Sequence, residues 1–344
     1  MTASRLRVCL VTLGDPGTLT GGYLFHMRLA ELAPARDAEV AFFSFPKRMF
    51  PLPLLAGSRM VEAATSCDVV AVDSIAAWAA APWLGKLANP VVGMLHQPAG
   101  GIERRRIRAA LDRRAYRHMD RIFVAGESLK DDLARDIDPG RILVVPPGRD
   151  MPPPAGDSPD LRNGRKIALL SVANWLPHKG TVELLRAFEA VPPGLATLHL
   201  VGRADVDGRY ATRVNALLGA LGNRVVVHGP LPKERVASMY SAAGAFVLPS
   251  FVETYGTVYA EAMSAGLPVI GWNAGNLPHL ADDDTSGLIV PTGDIDALTH
   301  ALTRIAEDNT LRERLARGAE EKAKSFPTWE DTADLFFSEL RALL

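Results

Sequence analysis

The segment from Ala245 to Trp272 limits the possible fold more than any other stretch of the chain. Ala245-Phe-Val-Leu248 is an apolar run of strand length, and Pro268-Val-Ile-Gly-Trp272 is a second. Between them, Gly256 to Ala265 reads as a helix, stopped by Gly266 with Pro268 beyond. A strand, a tight turn, a helix and another strand make the βαβ unit of a parallel sheet. Two glutamates bracket the turn, with seven residues between them. Glu253 belongs to the loop outside the carboxyl end of the first strand, and Glu261 sits inside the helix. Gly256 leaves the backbone N–H groups of the helix start uncovered, and such a terminus favours anions such as a diphosphate.

The same alternation runs through the chain. Apolar runs at Arg7–Leu13, Glu39–Phe45, Asp68–Asp73, Pro90–His96, Arg121–Ala125 and Arg141–Val145 predict a first parallel sheet with helices on both faces. A proline- and glycine-rich stretch from Pro146 to Gly164 reads as a linker. Runs at Lys166–Ala173, Thr197–Val201, Val225–His228, Ala245–Leu248, Pro268–Trp272 and Gly287–Val290 predict a second sheet, and three helices follow over 294–307, 310–324 and 328–343. Two Rossmann-like, doubly wound α/β domains facing across a cleft are the expected architecture. The loop after the first strand carries Gly21-Gly22 but lacks the Gly-x-Gly-x-x-Gly spacing of a dinucleotide site, so a nicotinamide or flavin domain is disfavoured.

The run Ser250-Phe-Val-Glu-Thr-Tyr-Gly-Thr-Val-Tyr-Ala-Glu-Ala-Met-Ser-Ala-Gly-Leu-Pro-Val-Ile270 resembles the signature of glycosyltransferase family 4, retaining nucleotide-sugar transferases of the GT-B fold. The resemblance implies an acceptor-side domain over 1–147, a nucleotide-sugar domain over 148–327 and a last helix, 328–344, crossing back to the first domain. It assigns Glu253 to the donor sugar and Glu261 to the ribose hydroxyls, a bidentate task suited to a carboxylate. Tyr255, Gly256, Thr257 and Val258 would offer backbone N–H groups to phosphate and sugar, and Gly21 and Gly22 would approach the diphosphate. Ser171 to Gly180 resembles the family's Gly-Arg-Leu…Lys-Gly motif, in which Lys179 neutralises the diphosphate. Asn174 stands there in place of the usual Arg and brings a hydrogen bond without charge, so Arg203 is a candidate to supply the charge. Pro230 and Leu231 are expected to wrap the base. His96 occupies the place of the family's histidine beside the donor sugar, although Gln97 replaces the usual Asp. Glu127 is expected to cap a helix, and His279 stands where relatives carry Glu.

Composition narrows the alternatives. The chain has 344 residues, 48% hydrophobic and 22% charged, with a net charge of −1 that argues against nucleic acid as a partner. Cys9 and Cys67 lie in or beside predicted strands, which suits buried thiols in a reducing, cytoplasmic setting. The expected partners are a nucleoside diphosphate sugar as donor substrate and an acceptor hydroxyl, with no cofactor and no metal. Asp282-Asp-Asp284 has the look of a cation-binding Asp-x-Asp, but its polar context reads as a solvated turn. The helix 103–121 holds eight arginines against three acidic residues, with Ile107, Leu111, Ala115 and Met119 as its expected core stripe. Together with the basic, then apolar, loop 47–55 it is a candidate for peripheral contact with an anionic membrane. Two rival readings are a donor-binding GT-B protein without transfer activity and a GT-B glycoside phosphorylase. The intact glutamate pair disfavours the first. The short chain, with no evident pyridoxal-lysine context, disfavours the second.

Overall fold

The computed structural model describes residues 5–15, 21–47, 52–102, 105–149 and 159–344. Parts of four sequence features lie outside them: 16–20 of the first glycine loop, 48–51 of the basic loop, 103–104 of the arginine-rich helix and 150–158 of the linker. The chain divides into two compact units. One comprises Met1–Gly148 with Pro327–Leu344, and the other Arg149–Phe326.

In the first unit the strands are β1 (Leu6–Leu13), β2 (Ala38–Phe45), β3 (Val69–Asp73), β4 (Val91–Leu95), β5 (Arg121–Val124) and β6 (Ile142–Val144). They form one parallel sheet in the order β2-β1-β3-β4-β5-β6. Successive strand side chains point to opposite faces, and both faces are covered. Leu6, Val8 and Leu10 of β1 pack with Phe25 and Leu29 of the helix Gly21–Leu32, whereas Cys9 and Val11 pack on the other side with Met60 and Tyr116. Both cysteines are buried, unbridged thiols, and burial pushes Cys9 up to about 12.

The last helix, Trp329–Arg341, packs within this first unit. Thr328 caps it in a reciprocal box with Asp331, so the corner after Pro327 is set by its own side chains. Ala333, Phe336, Phe337 and Leu340 recur at helical spacing and are fully buried against the face that holds Leu10 and Phe123. Arg36 pairs with Asp334 at 2.6 Å, and the Thr332 hydroxyl donates to the Pro146 carbonyl at 2.9 Å.

Two expectations for this unit need correction. The arginine-rich helix spans Arg106–Arg117 and buries Ala109, Asp112, Ala115 and Tyr116, while Ile107 is 76% exposed. Ala115 and Met119 of the expected stripe are buried in the core, whereas Ile107, two i+4 steps and so about 80° around the helix from Ala115, lies outside it. Glu127 does not cap its helix. Gly126 is the N-cap of Glu127–Leu133, without a side-chain cap bond, and Glu127 pairs with Lys130 one turn on.

In the second unit the strands are β7 (Ile167–Val172), β8 (Ala196–Val201), β9 (Val225–Gly229), β10 (Ala245–Val247), β11 (Val269–Trp272) and β12 (Gly287–Val290). Their order is β12-β11-β10-β7-β8-β9, again all parallel. The order reverses between β7 and β10, which places a topological switch point at their carboxyl ends. Among the described residues, no helix is long and apolar enough to cross a membrane.

Phe336→Ala should cost about 3–5 kcal/mol, as for emptying a fully buried aromatic site. Amide exchange should accelerate in β1–β6 and stay unchanged in β7–β12. Equal acceleration in both sheets would contradict the assignment of this helix to the first unit.

Candidate functional site

At the switch point of the second sheet, the loops after β7 and β10 touch. Gly180 (φ +71°) ends the first loop, and a Cβ on it would lie 2.0 Å from the Pro249 carbonyl oxygen. Only glycine permits this approach. The Ser250 hydroxyl and the Phe251 N–H both donate to the His178 carbonyl, at 2.9 and 2.8 Å. On this joined platform the Lys179 Nζ donates to Glu253 Oε1 at 2.5 Å. The two side chains are 22% and 11% exposed, so the pair is shielded without being sealed from water.

A third strand end braces Glu253. After β11, Gly275 lies so close that a Cβ there would stand 2.6 Å from the Glu253 nitrogen. The Asn276 N–H donates to the Glu253 carbonyl at 2.9 Å, and its side-chain amide donates to the Tyr255 carbonyl at 2.9 Å. Asn276 is buried, so these bonds are protected from exchange with water. The sequence drew attention to this position only through the neighbouring His279, which is exposed.

The helix after the loop spans Thr257–Ser264, with Gly256 (φ +94°) as its N-cap. The first N–H groups of any helix lack partners within it, and here they begin at Thr257 and Val258, four residues past Glu253. Tyr259 anchors the helix by donating to the Leu248 carbonyl at the end of β10. The Tyr255 side chain is buried and its phenol is pushed up to about 12 by that burial, so its polar contribution to the surface comes from backbone. Glu261 projects from the same helix and accepts from the buried Tyr240 hydroxyl at 3.1 Å through Oε2.

Other expected ligands are placed less centrally. Asn174 accepts from the Arg203 backbone N–H at 2.9 Å, which joins the ends of β7 and β8. The Arg203 guanidinium forks onto Asp205 at 3.0 and 2.9 Å, so its charge is answered within its own loop. Pro230 and Leu231 follow β9 at the edge of the sheet, on the same carboxyl side. Asp282 pairs with Lys322, Asp284 with Arg314, and Asp283 accepts from the Ile289 N–H. These carboxylates brace a turn. Among the described residues, no group of three His, Cys, Asp or Glu side chains is arranged to hold a metal ion.

In the first unit His96 follows β4, and Gly22 packs so near that a Cβ there would meet its ring at 3.6 Å. The sequence did not single out what lies beneath. Asp73, at the end of β3, is 2% exposed and accepts from the Thr12 hydroxyl, the Ser74 hydroxyl and the Ile75 N–H at 3.3, 3.1 and 3.1 Å. His26, fully buried, lies 3.6 Å from Asp73, and its ring is 5.2 Å from that of His96. Burial pushes His26 down to about 3. It also pushes His96 down, to about 4, with a further push from His26 and an opposing one from Asp73.

Both imidazoles are therefore neutral at pH 7. In the unfolded chain they take up a proton near the ordinary histidine value of 6.5, which the folded chain resists until about pH 3 and 4. Stability is full above pH 6.5 and falls as pH drops from there toward the folded values. At pH 5 the loss should be on the order of 2 kcal/mol for each histidine. Urea unfolding of the first unit at pH 7 and pH 5 should reveal this, and His26→Gln should reduce the pH dependence. An unchanged dependence in the variant would show that His26 is protonated alike in both states.

Two family models match the chain. One, described as Glycosyltransferase Family 4, covers residues 1–151, and the other, Glycosyl transferases group 1, covers residues 157–322. The D-inositol 3-phosphate glycosyltransferase of Corynebacterium kroppenstedtii is 30% identical over 232 residues, 62% of this chain and 51% of that protein. The chain spans about half the length of the curated relatives it matches. Among solved structures, sucrose-phosphate synthase from Thermosynechococcus elongatus superposes with a TM-score of 0.84 at 23% identity, covering 98% of this chain and 99% of that one. Anabaena HepE, in complex with UDP and glucose, superposes at 0.81 and 19% identity, covering 97% and 99%. These likenesses assign the GT-B fold expected from the sequence. With one model over the first sheet and the other over the second, the chain belongs to glycosyltransferase family 4.

Proposed function

We propose that this chain transfers a sugar from a nucleoside diphosphate to an acceptor hydroxyl, with retention of anomeric configuration and without a metal ion. The observation that carries this reading is the Lys179–Glu253 pair at the switch point, directly before the helix that starts at Thr257. The ammonium has three N–H donors. One is directed at Glu253, which leaves two for diphosphate oxygens, and the first amides of the helix add further donors. Positive charge from a lysine and a helix terminus does for the leaving diphosphate what a divalent cation does elsewhere. HepE, which carries UDP and glucose, supports a uridine nucleotide as the first donor to test.

In the transfer step the bond from the anomeric carbon to the phosphate oxygen breaks, and a bond to the acceptor oxygen forms on the same face. The acceptor proton passes to the departing phosphate oxygen. As the bond breaks, positive charge grows on the sugar ring, and the Glu253 carboxylate opposes it while accepting from sugar hydroxyls. Glu253 is already committed to Lys179, which suits an electrostatic role better than that of a covalent nucleophile. Glu261, held by Tyr240, has acceptor capacity for the ribose hydroxyls.

Donor hydrolysis and transfer over a panel of nucleotide sugars, led by UDP-glucose, test this directly. Activity should survive chelation. Glu253→Gln should lose roughly 2–4 kcal/mol of transition-state stabilisation with little change in affinity for the free diphosphate. Glu261→Ala should weaken diphosphate and donor alike by roughly 1–3 kcal/mol. Activity that vanished with chelator and returned with manganese would overturn the metal-free mechanism. Near-normal turnover with poor diphosphate binding in Glu253→Gln would move that residue to the phosphate scaffold.

We also propose peripheral contact with anionic lipid. It is supported by the exposed Leu55 and Ile107 and by Arg106, Arg114 and Arg117, which hold no ion pair among the described residues. Arg108 is excluded from that face, since it reaches Asp112 and the Ser74 carbonyl. Vesicles containing anionic lipid should sediment the protein, and salt should release it. Replacing Arg106, Arg114 and Arg117 with Ala should abolish this and leave donor hydrolysis intact. Equal partition to neutral and anionic vesicles would rule the contact out.

A further inference from the structure

The strand order of the first sheet also reverses, between β1 and β3, and the carboxyl ends of these strands and of β4 converge on Asp73. Burying a carboxylate disfavours folding unless its lone pairs are filled. Here the donors are neutral groups alone: the Thr12 hydroxyl from β1, and the Ser74 hydroxyl and Ile75 N–H from the loop after β3, with the His26 ring of the helix Gly21–Leu32 packed alongside at 3.6 Å. No cation is ion-paired with it among the described residues. Burial pushes the Asp73 carboxyl up from its ordinary value, a cost to ionisation that a well-packed apolar side chain would not carry, so stability alone does not explain an acid here. Its connections point elsewhere. Ser74 Oγ donates to Asp73 and accepts the backbone N–H of His96 at 3.3 Å, so a continuous hydrogen-bonded path links the buried carboxylate to the end of β4. The His26 ring, beside Asp73, in turn faces the ring of His96.

We propose that Asp73 is a positioning residue, which holds the backbone of His96 through the Ser74 hydroxyl and orders the neighbouring imidazoles of His26 and His96. The proposal rests on the reading of His96 as a residue that acts on the donor sugar. Its chemical logic is that of an orienting group beneath a functional one: the carboxylate touches no substrate and acts by restricting where His96 can point. His26 brings the start of the helix Gly21–Leu32, with Gly22, into the same cluster, so that helix, β3 and β4 share one anchor.

The test compares Asp73→Asn, Ser74→Ala, Ser74→Thr and His96→Ala in steady-state transfer, with ring nitrogen NMR of 15N-histidine-labelled protein as a second measurement. Asp73→Asn should lower kcat at least tenfold with less than a threefold change in donor KM, and should shift the ring signals of both His26 and His96. Ser74→Ala should lower kcat in the same direction, and Ser74→Thr, which keeps the hydroxyl, should restore most of it. If Asp73→Asn does not fold, the two Ser74 variants carry the test. Unchanged His96 ring signals in Asp73→Asn, or in Ser74→Ala where the first variant fails, would overturn the proposal, as would a raised KM at constant kcat. A His96→Ala variant with normal turnover would instead sink the reading of His96, while the ring signals still decide whether Asp73 orders it.

Discussion

The second unit depends on one close approach, that of the Gly180 backbone to the Pro249 carbonyl. Two loops from neighbouring strands meet there without a side chain between them, and that contact sets the Lys179 ammonium against the Glu253 carboxylate. An ion pair formed by long side chains on independent loops would be weakened by the entropy of holding them together. Here the backbone has already been fixed by His178, Ser250, Phe251 and Asn276, so the side chains lose less freedom on pairing. Charge placed this way is preorganised, which is what electrostatic stabilisation of a leaving diphosphate requires.

The two sheets share a design and differ in how they use it. Each carries its polar residues at the carboxyl ends of strands around a reversal of strand order. The second unit presents oppositely charged groups that are partly open to water. The first hides a carboxylate and the neutral imidazole of His26, with the ring of His96, a half-buried residue, next to them. A strongly shifted histidine is a neutral hydrogen-bonding group and not a cation, so His96 is suited to orienting hydroxyls and not to balancing phosphate charge.

Much of this was legible in the sequence. The strands were found to within a residue or two because buried parallel strands are apolar on both faces and bounded by glycine, proline and charged residues. Glu253, Gly256 and Glu261 stood out because a helix N-terminus with a glycine cap is a local pattern. What stayed hidden was long-range. That Lys179 meets Glu253, 74 positions later, depends on which strands are neighbours, and no local signal encodes it. Asp73 reads as an ordinary polar residue closing a strand, and its burial becomes visible only when β1, β4 and the helix Gly21–Leu32 are assembled around it. The Arg203 guanidinium, a candidate to serve the diphosphate, pairs with Asp205 two residues on, a contact whose short loop costs little entropy to close. Ile107 failed for a geometric reason, since four-residue steps wind around a helix and do not hold one face.

The return of the last helix to the first unit has a consequence for how the protein is made. Because Arg149–Phe326 is inserted between two parts of the first unit, the ribosome must complete the entire second unit before the residues that close the first core are synthesised. Until Phe336, Phe337 and Leu340 emerge, Leu10, Val92 and Phe123 lack the helix that covers them. The part of the chain that begins first is therefore the last to be finished, and throughout that interval an apolar sheet face is available to chaperones or to other nascent chains.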